Sequence, residues 1–248
     1  MQSNEFNTGV IKPVECMKEG WELIKNDYWL FFAITLVGLL IGGAIPLVLI
    51  GPMLCGVYLC FLQKFDGRKV EFGDLFKGFD YFMPALIATL ILVGIFFVAS
   101  MIFIVIPSII LMVLAGATGG KGGQMIALVS LIVFCVLMLI FGIIAACIHA
   151  LIVFTHLLIV DRKLSGWDAM RLSAKGARHN LGGVVGFIAL QILLSIVGML
   201  ALVIGAYLML PIIYAGTTVM YRKIFSPINL PSNVPPSQAN YPGAGFGQ

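Results

Sequence analysis

Charge is what this sequence has least of. Asp, Glu, Lys and Arg make up 10% of the 248 residues, where a soluble domain of this size carries about a quarter. The shortage is concentrated: residues 28–63, 81–120, 122–160 and 181–221 contain none of the four. With a mean hydropathy of +1.07, each run meets or exceeds the roughly 20 apolar residues of one helical crossing. In hydrocarbon the backbone must satisfy its own hydrogen bonds, which helices do within one segment. The expected fold is all-α, a polytopic transmembrane helical bundle.

Other absences narrow the function. No Asp, Glu, Lys or Arg falls well inside an apolar run, which disfavours a charge-coupled pump. The five cysteines form no Cys-x-x-Cys pattern and read as small buried residues; no metal site or cofactor is expected. Ser100, Ser130, Thr155, Gln191 and Ser195 adjoin no Ser-His-Asp arrangement, so the residues point away from an enzyme. No basic groove interleaved with aromatics suggests nucleic acid. Residues 1–28 mix Glu5, Glu15, Glu19, Glu22 and Asp27 with Lys12, Lys18 and Lys25, unlike a signal peptide; the first crossing is expected to act as its own insertion signal.

The charge that is present gives the topology. Lys and Arg number three before residue 28, four in 64–80, one at Lys121, five in 161–180, and two at Arg222 and Lys223. Three helical hairpins starting inside place all but Lys121 on the inner side, as the positive-inside rule requires. Residues 1–28 then form an inner-side segment, 29–225 the transmembrane domain with interfacial helices, and 226–248, rich in Pro and Gly and free of charge, a disordered inner tail.

Crossings are expected near 29–48, 52–65, 81–106, 124–160, 181–202 and 205–222. Pro46 and Gly51-Pro52 mark the first outer turn. The run 81–120 would measure about 60 Å as a helix, roughly twice a hydrocarbon thickness. It and 122–160 are either two long helices around an outer turn at Thr118-Gly-Gly-Lys-Gly-Gly123, or four shorter ones broken near Pro107 and Gly142. Six crossings are preferred because neither internal break has a polar turn.

Three stretches between the crossings are amphipathic. Val14, Met17, Trp21, Ile24 and Tyr28 recur at helical spacing, as do Leu164, Trp167, Met170 and Ala174; Phe72, Leu75, Phe76 and Phe79 suggest a third turn. Ser165 and Asp168 have capping-box spacing. Trp21, Tyr28 and Trp167 are expected at headgroup depth. The first helix either lies along the inner interface or caps the bundle from beneath. Each stretch leads into a crossing, so the chain reads as three units of interfacial helix plus hairpin.

Gly51-Pro52 with Gly56, the segment Phe72-Gly-Asp-Leu-Phe-Lys-Gly-Phe-Asp-Tyr81, the Pro107 region, Trp167-Asp-Ala-Met-Arg-Leu-Ser173, and Pro211 with Tyr221 and Phe225 together resemble a family of uncharacterised bacterial integral membrane proteins. That family is similar to the membrane domains attached to some glycerophosphodiester phosphodiesterases. The resemblance spans most of 12–225 and implies a compact multi-pass domain in the bacterial cytoplasmic (inner) membrane, with both termini cytoplasmic. It supplies no catalytic residues, and the long Gly-rich middle departs from it.

Few side chains suggest chemistry. His149 and His156, seven residues apart on one helix face and about 10 Å apart along it, are too distant for one metal; with Gln191 they are candidates for a substrate or proton path, against a structural role. Gly38 and Gly42 have the spacing for close helix packing, within the bundle or in a homo-oligomer. Two functions follow: an interaction or membrane-organising protein that holds lipids or a membrane-protein partner, or a facilitator or export component for a small apolar or amphipathic substrate. The first is favoured unless His149, His156 and Gln191 face one another across a polar path.

Overall fold

The computed structural model describes residues 7–9, 11–118, 120–200 and 204–225; the expected inner tail lies outside the described residues. Every regular element among them is helical: α1 (Pro13–Ile24), α2 (Tyr28–Ala44), α3 (Pro46–Phe65), a 3-10 helix (Phe72–Tyr81), α4 (Phe82–Ser100), α5 (Ile106–Thr118), α6 (Gly120–Ile152), α7 (Thr155–Arg162), α8 (Gly166–Arg178), α9 (Leu181–Leu200) and α10 (Ile204–Ile224). Among the described residues, five segments are long and apolar enough to cross a membrane: Pro13–Ala44, Pro46–Phe65, Phe72–Leu114, Leu128–Arg162 and Leu181–Leu200; α10, which covers the sixth expected crossing, is not one of them. The chain is a membrane-associated, all-helical protein.

One expected turn lies elsewhere. α3 begins at Pro46, where a missing N–H costs nothing, and runs through Gly51 and Pro52; the turn is at Ile45, and α3, the second expected crossing, is long enough to span. In the middle of the chain, helix continues past both suspected breaks. A π-turn at Met101–Val105 precedes Pro107 and absorbs the backbone bond that proline cannot make, while α6 passes Gly142 without interruption. α5 and α6 pack on each other, and their apolar side chains face outward, with Met112 78% and Leu139 69% exposed.

The break the sequence does not announce lies at Val153 and Phe154, between α6 and α7. Neither Gly nor Pro stands there. Ser173 on α8, fully buried, repairs it: its hydroxyl donates to the Leu151 carbonyl at 2.8 Å and accepts the Phe154 N–H at 3.2 Å. A side chain from a neighbouring helix thus satisfies both polar groups that the broken ladder would leave in an apolar interior.

Buried side chains concentrate on α3, α7 and α10. Phe154, Tyr221 and Phe225 cluster with ring centroids 5.2 to 6.2 Å apart, and Tyr58 meets Tyr214 edge-on at 5.2 Å. Three short elements wrap this core in cyclic order: α1 packs chiefly on α10, the 3-10 helix on α3, and α8 on α6 and α7 and as closely on α4. Each therefore sits on the last helix of the unit before it, the first closing onto the third.

The three wrapping elements dock by faces that include small residues. On α1 the buried face is Cys16, Met17, Gly20 and Ile24, while Val14 and Trp21 point out. In the 3-10 helix Asp74, Leu75 and Gly78 are buried, and Phe72, Phe76 and Phe79 are exposed. On α8 Gly166, Ala169, Met170, Ser173, Gly176 and Ala177 are buried, and Trp167 is 53% exposed. The apolar stripes read from sequence are thus divided, with Met17, Ile24, Leu75 and Met170 against the bundle beside the buried glycines, and Val14 and the large aromatics outside. Close backbone approach without side chains between is how helices associate where hydrophobic burial gives no preference.

Candidate functional site

α4, α6, α9 and α10 diverge around a cavity of about 570 Å³, within the range of small-ligand sites. Ala145 and Ala146 on α6 leave the space, Phe96 and Leu210 close two sides, and Met199 lies toward the end of α9. The cavity opens sideways along α9, where Ile192, Ile196 and Met199 are 52%, 54% and 65% exposed. Its polar side chains are His149, Gln191 and Ser195. Gln191 Nε2 donates to Thr217 Oγ1 at 3.2 Å, the Thr217 hydroxyl donates to the Ile213 carbonyl at 2.8 Å, and Ser195 donates to the Gln191 carbonyl at 2.8 Å. The first two hold the side-chain amide of Gln191 against α10, and the third is made to its backbone carbonyl within α9. His149 makes no hydrogen bond among the described residues.

His149 and Gln191 therefore share one cavity, and His156 does not. The helix break lies between the two histidines, with His149 on α6 and His156 on α7, and of the two the cavity lining includes His149. His156 Nε2 is buried without a partner. Gly38 and Gly42 face α3: a Cβ at Gly38 would stand 2.7 Å from Val57 Cγ2, and one at Gly42 2.9 Å from Ile50 Cδ1. Tyr28 is half-buried and donates its hydroxyl to the Leu208 carbonyl at 2.6 Å. Trp21 and Trp167 are exposed, the latter with the Arg171 guanidinium 6.0 Å from its ring. Among the described residues no group of His, Cys, Asp and Glu could hold a metal ion.

A second site was missed in the sequence because its members are far apart in the chain. Arg222 near the end of α10 has a side chain only 7% exposed. It donates to Asp66 beyond α3 at 3.0 Å and to Asp161 on α7 at 3.0 Å, and Tyr221 donates its hydroxyl to Asp161 at 2.7 Å. A planar guanidinium can serve two carboxylates at once, so one side chain clasps the ends of the three core helices. Lys64 pairs with Asp27 at 2.5 Å and Lys223 with Glu19 at 2.7 Å. Asn180 holds the N-terminal strand of chain by bonds to the Asn7 carbonyl at 2.9 Å and the Gly9 N–H at 2.8 Å. All the charged blocks except Lys121 thus include residues joined directly or through neighbours at one end of the bundle. The available signal was the position of Asp66, Asp161 and Arg222, each at the margin of an apolar run.

No family model, curated protein or solved structure matches the chain.

Proposed function

We propose that this is a non-enzymatic membrane-organising protein of three helical hairpins with inner-side amphipathic helices, whose wrapping elements hold lipid or a membrane-protein partner at the inner interface. One observation carries the reading: α1, the 3-10 helix and α8 bury faces that include Gly20, Gly78 and Gly166 and turn Trp21, Phe72, Phe76, Phe79 and Trp167 outward. Trp21 and Trp167 have the amphipathic rings favoured at headgroup depth, and the three phenylalanines add apolar surface that an interfacial segment buries. Arg171, Lys175 and Arg178 on α8 add attraction to anionic lipid.

Six crossings with both ends inside are supported by the continuity of the long helices and by the gathering of charge at one end. The resemblance to uncharacterised bacterial membrane proteins, and with it a bacterial inner membrane, rests on the sequence motifs alone; two of those motifs meet in the fold. Gly78 abuts the Pro52 carbonyl and Gly56, and Gly56 abuts Leu75. The facilitator reading has its own support in the cavity shared by His149 and Gln191.

Spin-labelled anionic lipid in proteoliposomes tests the choice. The parent should carry a motionally restricted lipid fraction that falls by at least a third in a Trp21→Ser, Phe76→Ser, Trp167→Ser variant of equal thermal stability. An unchanged fraction, together with a saturable amphiphile flux lost in His149→Leu, would give preference to the facilitator.

A further inference from the structure

The cavity beside α9 is chemically selective in a way its apolar walls do not explain. Gln191 stands ten residues into a 20-residue helix, about 15 Å from its start at 1.5 Å per residue, which is mid-depth in a bilayer. The protein leaves His149 exposed at the cavity and Gln191 half-buried, so in hydrocarbon at that depth the unpartnered imidazole and the remaining hydrogen-bonding capacity of Gln191 lose hydration to lipid, a cost of about 1–3 kcal/mol per group on protein scales. An occupant carrying an oxygen acceptor would offset it. None of the lining residues is Lys, Arg, Asp or Glu, so a phosphate, carboxylate or ammonium head would enter unpaired, at a larger cost.

We infer that this cavity is a lateral binding site for an uncharged single-chain lipid whose carbonyl or hydroxyl oxygen meets His149 and Gln191 and whose chain lies along Ile196, Met199 and Leu210. The inference rests on reading α6 and α9 as membrane-embedded and is independent of what the wrapping elements hold. Entry is sideways from the bilayer, past the exposed Ile192 and Ile196. His149 and Gln191 bind and orient; no bond is made or broken. Ala145 and Ala146 determine specificity by leaving room for the chain.

The test is photolabelling of the full chain in lipid nanodiscs with 4-octylbenzophenone, an uncharged ketone, mapped by peptide mass. Labelling should saturate, fall on 145–149 and 191–199, and be displaced by decylbenzoquinone at a concentration at least tenfold below that needed for decyl phosphate or decyltrimethylammonium. Ala146→Phe should reduce it at least fivefold and His149→Leu at least threefold, with His149→Asn, which keeps a donor, restoring most of it. If Ala146→Phe fails to fold, the two His149 variants carry the test. Non-saturating label spread over α5 and α6 would overturn the site. Equal displacement by the charged probes would overturn both the ligand class and the membrane-embedded reading, since it requires a hydrated cavity. A Trp21→Ser, Phe76→Ser, Trp167→Ser variant that loses lipid restriction while keeping this labelling separates the two proposals.

Discussion

Gly20 on α1 and Gly216 on α10 meet backbone to backbone: a Cβ on Gly20 would lie 2.5 Å from the Gly216 nitrogen and 2.8 Å from its Cα. No flexible side chain is there to move. The contact fixes α1 against the bundle and decides which residues of its apolar stripe turn outward. Met17 and Ile24 follow Gly20 inward, and Trp21 is left on the far side.

Gly20→Val should therefore separate the two helices. Overpacking of this kind costs about 1–3 kcal/mol, so the transition temperature in detergent should fall by several degrees, with α1 amides exchanging faster than those of α3. Trp21→Ser, on the opposite face, should leave the transition temperature within a degree or two and change only membrane depth. Equal destabilisation by both variants would contradict the assigned face.

Arg222→Met should be among the most damaging single changes, because it leaves Asp66 and Asp161 without their shared cation. Removing one partner of a buried pair costs about 3–5 kcal/mol; Asp66 is 30% exposed, and screening there favours the lower figure. Arg222→Lys should recover less than half, since a point charge cannot serve two carboxylates in fixed geometry. Thermal unfolding of the three proteins at low and moderate salt measures this. Full recovery by lysine would show that charge alone, not the fork, holds the clasp.

Ser173→Ala should strand the Leu151 carbonyl and the Phe154 N–H at the α6–α7 break. An unsatisfied buried polar group costs about 1–3 kcal/mol. Hydrogen exchange should accelerate at Phe154 and its neighbours before it changes in α3. Ser173→Thr, which keeps the hydroxyl, should exchange more slowly at Phe154 than Ser173→Ala does. Unaltered exchange at Phe154 in the alanine variant would contradict the bridging role.

Much of this fold was legible because bilayer chemistry writes it in long strokes. The apolar runs gave the helices, and the blocks around Lys64, Arg162 and Arg222 gave the end at which they meet. Finer features depend on contacts between distant residues. Pro52 reads locally as a turn, yet α3 continues through it, because a proline seven positions into a helix can be accommodated when neighbours satisfy the freed carbonyl. The break at Val153 has no local mark, since Ser173 supplies its hydrogen bonds from nineteen residues away. The docking faces of α1 and α8 were blurred by treating every apolar residue alike. In this molecule Gly20, Ala169 and Gly176 go in, and Trp21 and Trp167 stay out. Of the candidate path, the spacing of His149 and His156 says nothing of the break between them, and the meeting of His149 with Gln191 depends on the tertiary arrangement of α6 and α9.

Sidedness is the claim on which the others depend, and one cysteine-labelling series tests it most directly. In a background with the five native cysteines replaced, Gln2→Cys, Lys121→Cys and Ser226→Cys would be introduced singly and treated in intact cells with a membrane-impermeant maleimide. Three hairpins with both ends inside require labelling of Lys121→Cys, while Gln2→Cys and Ser226→Cys react only after the membrane is opened. Protection of Lys121→Cys in intact cells, or outside labelling at either end, would contradict the topology.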